Sequence, residues 1–554
     1  MADITIYPAR LVRTMNGAHP TAEAVAVQGD RVLGVGTVAE LATWGDHTVD
    51  PAFTDHVLVP GFVEAHSHSM AGGMWQFTYV GFFDRRDPNG KVWPGCKSTA
   101  DVLERLREAE AQLADPADQL IAWGLDPIYL TGERLIAAHL DTVSEHRPIF
   151  VYHASGHLAT ANTALLRLSE ITSASTTPGV VLGSDGEPNG ELQEPAAMSL
   201  AASAWRTMGR SFGSTEAKWA FAAEARNAGH TLVTDLGTSP LNNDKAVADW
   251  FDTVNEPDFP TRVMVAVGNA FGGGADPAEM ARLTVELRDR STDKLHFGIV
   301  KLILDGSIQG FTARISWPHY YTAPEGHPGN GLWLIAPEQM ADLVSVYHEA
   351  GLTVHCHCNG DEATEVFLDA VEEALRRHPR WDHRHTVQHC QLTTPAQYRR
   401  MATLGLCANI FANHIFYWGD QHRDVTIGPE RAAGMDACAT ALRNGIATSI
   451  HSDAPITPMG HLHTMWCAVN RRTATGQVLG ADEQISVPEA MAAATIGGAY
   501  QLGLDHCVGS IEPGKYADFA VLADDPLEVE PETLKDIGVA GTVLGGRFFE
   551  AGTG

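Results

Sequence analysis

Two histidines one residue apart, His66-Ser67-His68, follow the apolar run VLVPGFVEAH (57–66). Side chains two apart on a strand share a face. Both imidazoles are therefore offered to one point, where they suit a metal ion. The same pair is equally a set of hydrogen-bonded core histidines. The run FGIVKLILDG (297–306) carries Lys301 between Val300 and Leu302, in a chain with only eight lysines. A lysine in an apolar strand needs an anionic partner or a depressed pKa. An ion pair with Asp305 or another carboxylate is the simpler reading of this residue alone. The sharper one is a carboxylated lysine whose carbamate bridges two cations. LTVHCH (352–357) leads into His355-Cys356-His357-Cys358. His357, nearer the strand end, is the ligand candidate. His355 reads as a satisfied core histidine, and the thiols as outward packing groups. RHTVQHC (384–390) brings His389, while His383 and His385 belong at the strand's mouth or in solvent. ATSIHSDAP (447–455) brings His451-Ser452-Asp453. Asp453 is either a turn former or a metal ligand and proton shuttle.

These runs belong to a set of eight with strand length, the others being HTLVTDLG (230–237), TRVMVAVG (261–268) and LCANIFAN (406–413). Segments such as PEQMADLVSVYHEAG and DEATEVFLDAVEEALRRH lie between them, with apolar residues at helical i, i+3, i+4 spacing. Eight β–α units predict an α/β fold, a TIM-type (β/α)8 barrel, whose chemistry collects at the C-terminal strand ends. The polar residues above fall there. The long gap between the first two runs exceeds any ordinary βα loop. It predicts a large insertion after strand 1, about 70–228, within a barrel domain spanning 59–504. Short alternating strands return at both termini, DITIY to HTVD and GSIEPGKYADFAVL to RFFEAG. They predict one small composite β-sandwich domain from 1–58 together with 505–554.

Composition narrows the classes. With 38 basic and 68 acidic residues in 554, the formal charge is −30, which disfavours a nucleic-acid partner. No apolar stretch approaches a membrane span. The opening MADITIYPARLVRTMNG lacks the basic and apolar regions of a signal peptide. Eight scattered cysteines read as free thiols in a reducing, cytoplasmic setting. A homodimer is the default expectation for assembly.

The segments VPGFVEAHSH, SGHLATANTALL, PNGELQE, KLILDGSIQGFTA, HCNGDEA, QHCQLTTP and HSDAPITP resemble the amidohydrolase superfamily of metal-dependent hydrolases. Within it, the chain is similar to the branch of N-substituted formamide deformylases and YtcJ-like proteins. The resemblance implies that His66, His68 and Asp453 bind a buried metal, that Lys301 is carboxylated by CO2 and bridges, and that His357 and His389 bind a second metal. Asp453 is then also the general acid/base. The cofactors implied are two divalent ions, zinc by ligand type, with Mn, Fe or Co fitting the same set. Glu64 stands where an Asp is usual, Gln388 where a Glu often precedes the histidine, and HCNGDEA replaces a more usual HAIGDRA-like string.

The chemistry implied is attack by metal-bound hydroxide on an amide-type carbon–nitrogen bond of a small-molecule substrate. By the same resemblance His157, Asn162 and Glu194 are candidates to line the substrate site. Asp305, Arg314 and Trp418 join them as substrate-binding candidates, Arg314 as a partner for an acidic group or, equally, as one half of a structural salt bridge. Aromatic clusters at Trp75–Phe83, Trp317–Trp333 and Phe416–Trp418 suggest a substrate with an apolar or aromatic part. The alternatives are a one-metal deaminase or other ring-carbon hydrolase, which has no need of Lys301, and a non-catalytic scaffold, which tends to lose its ligands.

Overall fold

Eight strands stand side by side in chain order, each hydrogen-bonded in parallel to its neighbour. They are β1 (Phe62–Ser67), β2 (His230–Leu236), β3 (Arg262–Gly268), β4 (Ile299–Ile303), β5 (Thr353–Cys358), β6 (Thr386–His389), β7 (Cys407–Ile410) and β8 (Thr448–Ile450). The computed structural model describes residues 4–115, 118–130, 134–237, 241, 243–268, 276–323 and 329–552. Outward residues of the strands, among them Val233, Val265, Val300, Leu302, Val354, Cys356, Val387 and Ile410, pack against Trp250, Tyr347, Phe367, Val371 and Tyr398 in one buried layer. Most of these last come from the intervening helices. Each such apolar side chain contributes roughly 1.5–3 kcal/mol when fully buried. The sheet rolls into a nearly closed barrel, an α/β architecture of TIM type.

No ladder joins β8 to β1. Two backbone hydrogen bonds close the seam just past the strand ends, Asp453 N to His66 O at 3.1 Å and His68 N to Ala454 O at 2.8 Å. The closure thus fixes the backbones of three candidate ligands relative to one another. The β1–β2 ladder also shifts register twice. Such bulges bend a strand and re-aim its side chains.

Two barrel strands are shorter than their apolar runs suggest, the first starting later and the eighth ending earlier. Val57–Pro60 belongs to another sheet, since Phe53–Pro60 pairs antiparallel with Phe519–Leu522. Pro60 and Gly61 make the break, and Gly61 passes so close to Thr231 that a Cβ would lie 1.9 Å from its hydroxyl. The eighth strand stops at Ile450 rather than 455, and Asp453 turns into left-handed backbone at φ 53°. That first sheet is built from both ends of the chain, Ile4–Glu550. Its eight strands share one hydrogen-bonded network, with register shifts at Pro8–Val12, Ala26–Val27 and Val521–Leu522.

The insertion builds a six-stranded sheet in the order Val180–Leu182, Pro188–Gln193, Leu158–Ala161, Ile149–His153, Leu120–Leu125, Thr78–Tyr79. Both faces are covered. Ile121, Trp123, Phe150 and Tyr152 pack on one, and Leu120, Ala122, Ile149 and Val151 on the other. All eight cysteines are free and buried. No helix among the described residues is long and apolar enough to cross a membrane.

Candidate metal centre and its approaches

The C-terminal ends of β1, β4, β5 and β6 and the turn after β8 converge on one buried cluster. His66 Nε2 and His68 Nε2 lie 3.4 and 3.1 Å from Asp453 Oδ1. Asp453 Oδ1 nevertheless accepts no hydrogen bond, and His68 Nδ1 is likewise buried without a partner. Polar atoms this deep are normally paired. Donor atoms converging within 4.8 Å of one another without bonding each other are what a cation's ligands require. Zinc at about 2.0–2.2 Å from nitrogen and oxygen fits the spacing. The donor set of His66, His68 and Asp453 fits a divalent ion.

Lys301 is buried, and its Nζ lies 3.3 Å from His66 Nε2. The ion pair the sequence favoured is not formed. Among the described residues no carboxylate lies within ion-pair distance of Lys301, and Asp305 accepts instead from the backbone of Arg314, Asn359 and Gly360. Gly237, at φ 90°, makes room for the lysine stem, since a Cβ there would lie 2.8 Å from Lys301 Cβ. Burial pushes the ammonium down to about 8.

A chain of hydrogen bonds sets the histidine tautomers. Gln388 Oε1 accepts from His66 Nδ1 at 2.7 Å and from Asn409 at 2.9 Å. Asn409 Oδ1 accepts from His451 Nδ1 at 3.0 Å, which leaves His451 Nε2 to accept from His389 Nδ1 at 3.2 Å. Both His66 and His389 thereby keep their lone pairs on Nε2, and His389 Nε2 has no partner. Outer partners of this kind orient ligand imidazoles. Burial, reinforced by neighbouring positive groups, holds His66, His389 and His451 well below the usual imidazole range, hence neutral. His389 sits at φ 73°, a conformation costing about 1–3 kcal/mol that turns it off the strand end.

His357 lies beside His389, with ring centroids 4.4 Å apart, but its Nε2 donates to Gly306 O at 3.1 Å. It stands next to the ligand cluster without converging on it. His451 is the third imidazole around His66 and His389. The sequence reading passed over it and Asn409, although both are polar residues at buried strand ends. His355 is not a satisfied core histidine. Its Nδ1 accepts from Gln388 at 2.7 Å, and its Nε2 has no partner. His383 and His385 are also not in solvent. They are buried, because His385 Nε2 bonds His348 at 2.8 Å and His383 bonds Leu404 O at 2.8 Å.

The substrate-site candidates divide. His157 Nδ1 donates to Glu194 Oε2 at 2.8 Å, and the His157 ring lies 5.8 Å from that of His357. Burial works against a charged His157, but Glu194 outweighs it and raises the imidazole. Asn162 has spent both ends of its amide. Its Oδ1 accepts from Ile149 N and Leu165 N, and its Nδ2 donates to Ser144 O and Arg147 O. It caps Thr163–Leu168 at the end of Ile149–His153 remote from the site. Arg314 is paired with Glu362 at 2.8 Å and lies over the Trp333 ring. Asp305 anchors loop backbones, 3.6 Å from His357 Nε2. Trp418 donates to Asp126 at 2.8 Å in the wall of a recess. That recess is lined by Tyr79, Phe82, Phe83, Trp123, Tyr129 and Tyr417, and on the metal side by Pro455 and Ile456. Trp317 and Tyr321 are not part of it and are 79 % and 65 % exposed.

A nearly closed parallel barrel carries at its C-terminal rim a His/His/Asp cluster whose donors could hold a metal ion. The profile of the amidohydrolase family matches residues 54–549. The chain is 28% identical to Protein LONG AFTER FAR-RED 3 of Arabidopsis thaliana, over 96% of this chain and 89% of that one. It is 25% identical to N-substituted formamide deformylase of Arthrobacter pascens, over 99% and 98%. In three dimensions it is similar to an uncharacterized metal-dependent hydrolase from Pyrococcus horikoshii, at TM-score 0.71 and 19% identity, covering 96% of this chain and 99% of that one. The chain belongs to the amidohydrolase family, hydrolases of carbon–nitrogen bonds.

Proposed function

We propose that this protein hydrolyses an N-substituted formamide, or a closely related N-acyl amine with an apolar substituent, at a two-cation centre. His66, His68 and Asp453 hold one ion. His357 and His389 would hold the other if His357 gave up Gly306 O, and a carbamate on Lys301 would supply a further anionic ligand. Zinc suits these donors, and eight free buried thiols suit a reducing cytoplasm. The observation that carries the reading is Lys301, buried beside His66 with no carboxylate within ion-pair distance among the described residues. Burial brings the Lys301 ammonium down to about 8, which raises the share of free amine, the form that captures CO2, and the carbamate would supply an anion.

Bound there, divalent ions supply a water acidified to near neutrality and a Lewis acid for the carbonyl. Asp453 takes the proton of the attacking water. As the carbon–nitrogen bond breaks, it returns that proton to the departing nitrogen. The products are formate, or the longer carboxylate, and an amine. The aromatic recess beside Pro455 and Ile456 holds the nitrogen substituent and excludes water from it.

Elemental analysis of protein purified without chelator tests the reading, together with a screen of formamides and N-acyl amines. About two divalent ions per chain and cleavage of a formamide are expected. One ion per chain after metal is offered in excess would demote Lys301. It would favour a one-metal deaminase, which the hydrogen bond from His357 to Gly306 also suits.

A further inference from the structure

The insertion reaches the metal centre through a lock between two of its loops. Glu194 N donates to His157 O at 2.7 Å while His157 Nδ1 donates to Glu194 Oε2 at 2.8 Å. Glu194 takes left-handed backbone, φ 64°, to do so, a conformation that costs energy for a residue with a side chain. Its second oxygen, Oε1, is buried with no hydrogen bond. The carboxylate packs against Gly306, where a Cβ would lie 2.9 Å from Oε1 and closer still to Thr312. This expense holds one imidazole in place. On one side the His157 ring meets His357. On the other its loop packs on the turn after Asp453, where a Cβ at Gly156 would lie 3.5 Å from Ile456 Cδ1. The His157 side chain keeps 14 % exposure, and its Nε2 has no hydrogen-bond partner among the described residues.

We propose that His157, paired with Glu194, is a further catalytic residue, which donates its Nε2–H to the substrate's carbonyl oxygen from the side opposite the cations. This rests on the amide-hydrolysis reading. Glu194 is the positioning residue. It takes Nδ1–H and fixes the ring, so that Nε2–H faces the oxygen on which negative charge grows as the carbon becomes tetrahedral. A preorganised donor of this kind is stronger toward the tetrahedral oxyanion than toward the planar amide, and losing one typically costs about 100- to 1000-fold in kcat. No proton need leave His157, so Asp453 keeps the proton transfer. The insertion is then part of the catalytic apparatus as well as a wall for the recess.

The test compares wild type, His157→Gln and Glu194→Gln as metal-loaded full-length protein. Calorimetry measures binding of N-(2-phenylethyl) methylphosphonamidate, a tetrahedral anion, and of planar N-(2-phenylethyl)formamide. Elemental analysis and thermal unfolding check metal and fold. Expected is a loss of about 100-fold in affinity for the phosphonamidate in His157→Gln, under threefold for the formamide, and unchanged metal content. Glu194→Gln, whose amide oxygen can still accept from Nδ1, should lose about 10-fold. In turnover the loss should fall on kcat rather than KM. Equal losses for both ligands, or undiminished phosphonamidate affinity in His157→Gln, would overturn the assignment, as would a wild type that does not bind the phosphonamidate. Should wild type cleave no formamide, the functional reading fails separately, and phosphonamidate binding still decides the role of His157. If His157→Gln fails to fold, Glu194→Gln carries the same comparison.

Discussion

Two buried clusters in this protein have the same composition. His66, His68 and Asp453 bring two imidazoles and a carboxylate within 4.8 Å, and so do Glu64, His230 and His461. They differ in what their lone pairs are doing. Asp453 Oδ1 accepts nothing. Glu64 Oε1 accepts from His66 N, and its Oε2 from Ser452 N and Oγ. His461 Nε2 donates to Val63 O at 2.9 Å, whereas His461 Nδ1 and both nitrogens of His230 have no partner, so the two clusters differ at their carboxylates rather than at their imidazoles. Burial pushes the Glu64 carboxyl up to about 8, so it is neutral at physiological pH and a poor ligand. The second cluster secures the seam between β1 and the turn after β8. The first uses the geometry that the seam creates. The carboxylate is what separates them, unspent at Asp453 Oδ1 and bonded at both oxygens in Glu64, so counting His and Asp is not enough.

Four substitutions sharpen or break this contrast. The largest effect belongs to Asp453→Asn, expected to keep the fold and bound metal while turnover falls at least about 1000-fold, or roughly 4 kcal/mol of barrier. Activity within tenfold of wild type would remove Asp453 from proton transfer. Lys301→Ala should lose most of its metal by elemental analysis, with partial recovery when small carboxylates are added. Unchanged metal content there would rule out the bridging carbamate. Gln388→Leu unpairs His66 Nδ1, His355 Nδ1 and Asn409. Metal affinity should weaken about 10- to 100-fold, read by competition with a chromogenic chelator. The smallest effect is Glu64→Gln, expected to keep metal and most activity.

Glu64 also has a pH signature. Its folded pKa is raised above its unfolded value, so the unfolded chain loses this proton first. The Glu64 contribution to stability is present below about pH 4.5 and is lost as pH rises toward about 8. Thermal midpoints between pH 5 and 8 should fall less steeply in Glu64→Gln than in wild type. Parallel slopes would mean that Glu64 is ionised in the folded protein.

The barrel was legible because its outer strand faces are apolar at every second position, and Val265, Val300, Val354 and Val387 share one core. Boundaries were less so. Val57–Pro60 and Phe62–Ser67 form one apolar run, and only pairing partners tell that they serve different sheets. At the site, His66, His68 and Asp453 announced themselves by type and by position at strand ends. The roles of His451, Asn409, His355 and Gln388 depend on which nitrogen faces which oxygen across four strands, a relation that no spacing along the chain encodes. Asn162 misled for a related reason. A helix cap and a substrate ligand can be the same residue type, and only the count of hydrogen bonds already made separates them.

The most direct test of the central claim is an anomalous difference map from crystals of the metal-loaded protein, collected at the zinc edge. The account predicts a strong peak bounded by His66, His68 and Asp453, and none among Glu64, His230 and His461. A peak in the second cluster, or no peak in the first, would contradict it.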